Sequence, residues 1–159
     1  MFRQLTYISA YGEGWALYCE QLGVEMGMYD TAYDRFGMLG YQIWRAARLV
    51  VDTGLHAEGW TREQAMEYLR QYTALPEHEI ATEVDRYLAW PAQALSYYLG
   101  ERTLLGARSR AEHALGERFN VRAFHDAVLE LGSVPLPVLE GQVDRFIAAG
   151  GRGPYPDME

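Results

Sequence analysis

Lysine is absent from this chain. All 14 basic residues are arginine, set against 22 acidic ones, and the formal net charge is −8 at neutral pH. An acidic chain with scattered arginines is poorly built to track a phosphate backbone, so nucleic acid is not an expected partner. Cysteine is nearly absent: the single thiol, Cys19, rules out an internal disulfide and a multi-cysteine zinc site. It ends an apolar run from Trp15, which predicts a buried, inert thiol. No apolar run approaches the ~18 residues of a membrane-spanning helix. No basic-then-apolar leader opens the chain, and the compartment, cytoplasm or periplasm, stays open. Strand-like alternation longer than a few residues, fixed-period repeats, a phosphate-binding glycine loop and a G-x-S-x-G elbow are all missing.

What remains is a globular composition. The 159 residues are 49% hydrophobic and 13% aromatic, with 12 tyrosines and 4 tryptophans, enough for a real core. Periodicity predicts an all-α bundle of about seven helices with short loops. The first, over residues 4–27, reads as long and mostly buried, ending near Gly27. The second, over 31–53, carries Phe36, Leu39, Ile43, Ala46, Ala47 and Val50 at helical spacing. Gly54 and Gly59 punctuate a loop holding His56 and Trp60. Thr61 and Gln64 form a capping box that opens the third helix, which reaches Tyr72. Pro76 suits the start of a fourth, to Trp90, and Pro91 interrupts before a fifth over 92–115, stopped by Gly116. Asn120 caps a sixth to Leu131, and a last helix reaches Ala148. One helical domain over 1–148 and a flexible Gly/Pro-rich tail over 149–159 are the expected organisation.

Two carboxylates stand out in "YGEGWALYCEQ". Glu13 and Glu20 lie seven residues apart, almost two turns, and so share one helical face. Buried glutamates are paired or ligate metals, and Arg45 and Arg48 are available partners. On the second helix Arg48, Asp52 and His56 follow at four-residue steps, aligned if the helix continues past Gly54. An aspartate orienting a histidine is one reading, a charged helix end the other. "HEIAT", His78 to Thr82, begins like the zinc motif H-E-x-x-H, but Thr82 replaces the second imidazole, so we read it as an acidic first helical turn. His113 and His125 stand alone, as structural or exposed residues. "RYLAWPAQALSYYLGER" holds Arg86, Gln93, Tyr97 and Tyr98 around a proline; a tyrosine hydroxyl there can stabilise an oxyanion or simply pack, and for Tyr98 we prefer packing.

Taken together, "AYGEGWALYCEQLG", "WRAARLVVDTGLHAEGWTREQAMEYL", "EVDRYLAWPAQALSYYLGE" and "FHDAVLELGSVPLPVLEGQV" resemble the C-terminal part of the bacterial family called domain of unknown function 885. That family is similar to helical zinc metallopeptidases of the gluzincin type, related to carboxypeptidase Taq. The resemblance implies that Glu13 is the third zinc ligand, braced by Glu20. It implies that His56 and Tyr97 are catalytic cleft residues, and that Arg48, Asp52, Arg86 and Tyr98 support them or bind substrate. It implies zinc and a peptide substrate for the full-length protein. No H-E-x-x-H precedes Glu13, so the chain is expected to be inactive alone, either as the C-terminal portion of a longer protein or as a truncated or degenerate relative; whether Met1 is the natural start, and whether the chain alone binds metal, stay open. The alternative is a non-catalytic helical module that self-associates into a homo-oligomer or binds a protein partner. A metal site formed between chains has little support, because the four histidines are scattered.

Overall fold

A computed structural model describes residues 6–155. Among them lie seven α-helices and no strand: α1 Ser9–Glu25, α2 Ala32–His56, α3 Arg62–Tyr72, α4 Glu77–Ala89, α5 Ser96–Leu115, α6 Val121–Leu129 and α7 Leu136–Ala148. Short 3₁₀ turns, Gln93–Leu95 and Gly116–Arg118, precede and follow α5. The all-α reading holds. Local chemistry sets the boundaries. Thr31 with Asp34, and Thr61 with Gln64, close capping boxes on α2 and α3. The Asn120 side chain accepts the Arg122 and Ala123 N–H groups at the start of α6. Gly27 and Gly116 take positive φ just past the ends of α1 and α5.

The chain divides into two compact units. One combines the residues up to Tyr18 with those from Leu99 onward. Inside it α1 and α5 cross at Gly14 and Gly100. A Cβ on Gly14 would run into the Gly100 backbone, and a Cβ on Gly100 into the Ala10 carbonyl, so the helices meet backbone to backbone. Around the crossing Leu17, Tyr18, Leu104, Ala107, Phe124, Val128, Leu139 and Val143 are fully buried. The Tyr11 hydroxyl donates to the Val128 carbonyl (3.0 Å). His125 Nε2 lies 2.8 Å from the Tyr18 hydroxyl, which also accepts from Arg108 (3.2 Å), so His125 is built into the packing. His113 is exposed.

The other unit runs from Cys19 to Tyr98. Its core joins α2, α3, α4 and the 3₁₀ turn through Trp44, Ala47, Val51, Ala65, Met66, Leu69, Ile80, Val84, Tyr87 and Ala94.

Several expectations change. Helix α1 is not mostly buried: inward positions such as Leu17 and Tyr18 alternate with exposed ones. Cys19 is exposed, because the helix turns ~100° per residue and Tyr18 takes the inward position. The part of the Cys19 thiol that is covered pushes its pKa up, so it is not an activated thiolate. Helix α2 does not stop at residue 53 but runs to His56; Gly54 is buried inside it, and the Trp60 indole occupies the space a side chain would need. Phe36, Leu39, Ile43 and Val50 are exposed, so the packed stripe of α2 is the one bearing Trp44, Ala47, Arg48, Val51 and Asp52. Residues 4–5 of the expected first helix and 156–159 of the tail lie outside the described residues. The described tail starts as a built turn: the Gly151 N–H reaches the Phe146 carbonyl (3.0 Å), and Gly151 is buried.

Candidate functional site

Helix α2 carries Arg48 and Asp52 inward, 3% and 2% exposed. Burying two charges requires partners for both, and α4 with the turn after it supplies them. The Tyr87 hydroxyl accepts from Arg48 Nε (2.9 Å) and Trp44 Nε1 (3.1 Å) and hydrogen-bonds Glu83. Arg48 Nη2 donates to Glu83 Oε2 (3.0 Å). Arg86 grips the same carboxylate with Nε (3.1 Å) and Nη2 (2.8 Å), and sends Nη1 to Gln93 Oε1 (2.8 Å). The Arg48 guanidinium also lies between two rings, 4.0 Å from the Trp44 centroid and 4.9 Å from that of Tyr97. Arg45 packs on Tyr41, Trp44 and Tyr97. Lysine could not replace Arg48, since its ammonium offers no planar face and no fork of donors.

The charges perturb one another. Burial alone would raise the Glu83 pKa, but hydrogen bonds from Arg86 and Tyr87, with the charges of Arg86 and Arg48, bring it below the ordinary value. Burial pushes the Tyr87 hydroxyl up to about 12, against the lowering effect of Arg48. Arg45, Arg48 and Arg86 make three guanidiniums around two carboxylates, Glu83 and Asp52. The cluster is locally positive in a chain of net charge −8. Two buried donors in it, Arg48 Nη1 and Arg45 Nε, have no acceptor among the described residues.

Asp52 holds the backbone beyond α4. Both its oxygens accept the Ala92 N–H (3.1 and 3.2 Å). Ala92 sits at φ 66, the one non-glycine at positive φ among the described residues, where a Cβ is disfavoured. The carboxylate therefore pins a strained turn that positions Gln93 and, four residues later, Tyr97.

The spacing of Arg48, Asp52 and His56 correctly places them on one helix, but Asp52 does not orient His56. His56 is exposed at the end of α2, with Nε2 3.0 Å from the Tyr87 carbonyl. A carbonyl only accepts, so Nε2 donates this bond. The adjacent tyrosines diverge. Tyr97 lies against Arg45 and Arg48, and its hydroxyl has no partner among the described residues. Tyr98 lines an apolar groove with Phe36, Leu39 and Ile43.

Glu13 and Glu20 are half-buried on α1, and neither carboxylate takes a hydrogen bond or ion pair from the described residues. Arg48, an anticipated partner for them, pairs with Glu83 instead. No three His, Cys, Asp or Glu side chains converge on a metal position among the described residues, so these residues do not form a complete zinc site. "HEIAT" lies in the acidic first turn of α4, with His78 exposed and the Thr82 hydroxyl donating to the His78 carbonyl.

Sequence reading alone overlooked Glu83, Tyr87 and Ala92. The spacing Glu83-x-x-Arg86 was the available signal for the first. Nothing local marks a tyrosine as a buried hub.

Fold and site together define an all-α protein with a buried arginine–carboxylate cluster. A family described as "Bacterial protein of unknown function (DUF885)" matches residues 1–143, and the chain belongs to that family. It is also similar to a solved structure, titled "The crystal structure of the putative lipoprotein from Colwellia psychrerythraea". The two are 46% identical with a TM-score of 0.86, over 89% of this chain and 24% of that one. The chain thus spans about a quarter of the length of that relative. A comparison with curated proteins finds no match. Neither description names a metal, a peptide or a reaction. Among the described residues no helix is long and apolar enough to cross a membrane.

Proposed function

We propose that this chain is the substrate-recognition part of a larger helical hydrolase of the zinc-peptidase kind. In this reading the Arg48 cluster binds a carboxylate of a peptide substrate. The observation behind it is Arg48 Nη1, a charged donor buried without an acceptor in a cluster with more guanidiniums than carboxylates. An unsatisfied buried donor costs about 1–3 kcal/mol, and a carboxylate oxygen arriving there removes that cost. The half-buried Tyr97 ring lies against the same guanidinium.

The resemblance of the sequence blocks to helical zinc peptidases suggests three further roles. Glu13 gives one carboxylate to a metal whose other ligands lie outside residues 6–155. His56 binds substrate or stabilises the transition state. Tyr97 hydrogen-bonds the oxyanion formed on the substrate carbonyl. Activity then belongs to a longer polypeptide and not to these 159 residues.

The test on this chain is calorimetric titration with a tripeptide carrying a free C-terminal carboxylate, against the same tripeptide as its amide. The free acid is expected to bind and the amide not to. Arg48→Met is expected to weaken the free acid at least tenfold, with helicity unchanged by circular dichroism. Equal binding of acid and amide, or none of either, defeats the assignment. In the full-length family protein, Glu13→Gln is expected to lower zinc occupancy; unchanged occupancy removes Glu13 from the metal.

A further inference from the structure

The outward face of α2 has its own order. Phe36, Leu39, Ile43, Ala46 and Val50 follow at steps of three and four, the spacing of a coiled-coil seam. Phe36 is 68% exposed, Leu39 56%, Ile43 49% and Val50 39%. Beside them Tyr72 and Tyr98 wall a groove of about 620 Å³ that no charged side chain lines. Gly37 and Gly40 flank the seam with open space around them, so another backbone can come close. From Phe36 to Trp44 the helix carries no charge, so nothing along that stretch repels a like surface.

We infer that this seam is the contact between two copies of the chain, packed antiparallel. The side chains favour that register. With the two-fold axis between Ile43 and Ala46, Ile43 faces the partner's Ala46, Leu39 the partner's Val50 and Phe36 the partner's Thr53. Every layer then joins a larger residue to a smaller one, as interdigitating helices require. The area is sufficient. At roughly 200 Å² for a large side chain, the exposed parts of Phe36, Leu39, Ile43, Val50 and Tyr72 amount to roughly 500 Å² per copy. Two copies together reach about 1,000 Å², the lower bound for a specific interface. An interface of this size lies at the low end for specific contacts, so the expected association is reversible. It is independent of the Arg48 cluster, which lies on the inward face of the same helix.

The experiment is sedimentation velocity from 1 to 200 µM, with Cys19→Ser as background to exclude thiol cross-linking. The expected result is a concentration-dependent shift from 18.1 kDa to twice that mass. Ile43→Arg is expected to stay monomeric at every concentration with its helicity intact, since Ile43 is half exposed and charge is tolerated in the monomer. Leu88→Arg, at an exposed position on α4, is expected to dimerise as before. A monomer at 200 µM overturns the inference and leaves the seam to a helix from elsewhere in a longer family protein. Dimerisation that survives Ile43→Arg, or is lost in Leu88→Arg, overturns it as well. Carboxylate titration and mass are separate readouts, so this inference and the proposed function fail independently.

Discussion

Removing Glu83 leaves Arg48 buried beside Tyr87 with no carboxylate. Arg48 is 4% exposed at its side chain and Glu83 16%, so solvent restores little. Breaking a buried pair from one side costs about 3–5 kcal/mol. Partial exposure of Glu83 puts Glu83→Ala at the low end, about 3 kcal/mol by the same rule. Arg48→Met costs less, about 2 kcal/mol, because Glu83 keeps Arg86 and Tyr87 while the stacking on Trp44 and Tyr97 is lost. The double variant Arg48→Met, Glu83→Leu replaces both charges with apolar volume. It is expected to be more stable than the sum of the singles by about 1–3 kcal/mol. Urea unfolding at pH 7, followed by circular dichroism, measures all three. Losses that add within about 0.5 kcal/mol refute the coupling, since sites without shared partners add that closely. Acid gives a second reading. The folded Glu83 pKa lies below its unfolded value. Its contribution is therefore complete above the unfolded pKa, near 4.3, and disappears as pH falls through the folded one. The gap between wild type and Glu83→Gln should close over that window; a gap constant down to pH 3 would mean that the charge of Glu83 contributes nothing.

Two further perturbations test the packing and the hub. Gly100→Ala puts a Cβ against the Ala10 carbonyl, with backbone on both sides of the crossing. It should cost about 3 kcal/mol or more, at the upper end of overpacking effects. Gly106→Ala, on the same helix with open space around it, should instead stabilise by about 0.5–1 kcal/mol, the helix-propensity difference; thermal unfolding of the pair separates crossing from propensity. Tyr87→Phe leaves Trp44 Nε1 and Arg48 Nε without their acceptor, and should cost about 2 kcal/mol at neutral pH. The folded Tyr87 pKa is raised to about 12, so the hydroxyl's contribution is whole below the unfolded value near 10 and is lost as pH climbs to 12. Wild type and Tyr87→Phe should converge over that interval, and a constant difference between them would remove the buried hydroxyl from the account.

Helix existence and most helix ends were legible because their causes are local. Thr61 with Gln64, Asn120 and Gly116 each act on backbone groups within a few residues, and each stands where the sequence placed it. The inward face of α2 was not legible. Two stripes compete on that helix. The Phe36–Val50 stripe is purely apolar, while the Trp44–Asp52 stripe carries an arginine and an aspartate, so hydropathy favours the first for burial. The structure buries the second, because Glu83, Tyr87 and the Ala92 N–H, 35 to 40 residues away along the chain from the groups they meet, satisfy its charges. Periodicity sees one helix at a time, and the partners that permit burial lie on another. Gly54 misled for the same reason. Its helix-ending tendency is local, but the Trp60 ring that needs the missing side chain arrives only when the loop folds back.

The charged stripe is also what motivates the proposed binding role for this helix. A core built only for stability would place apolar residues at 48 and 52, since replacing a buried ion pair by well-packed hydrophobes is often neutral or stabilising. Here the charged pair is kept, one guanidinium donor remains unmatched, and an alanine is held at positive φ by the neighbouring aspartate. Each feature lowers stability relative to a simpler core, and all three involve Arg48 or Asp52, four residues apart on one helix. Departures from local stability rules that cluster in this way mark sites shaped for something other than folding. The arginines fit that logic better than lysines would: stacked between Trp44 and Tyr97, a guanidinium keeps its charge fixed, its plane oriented and one donor edge in reserve.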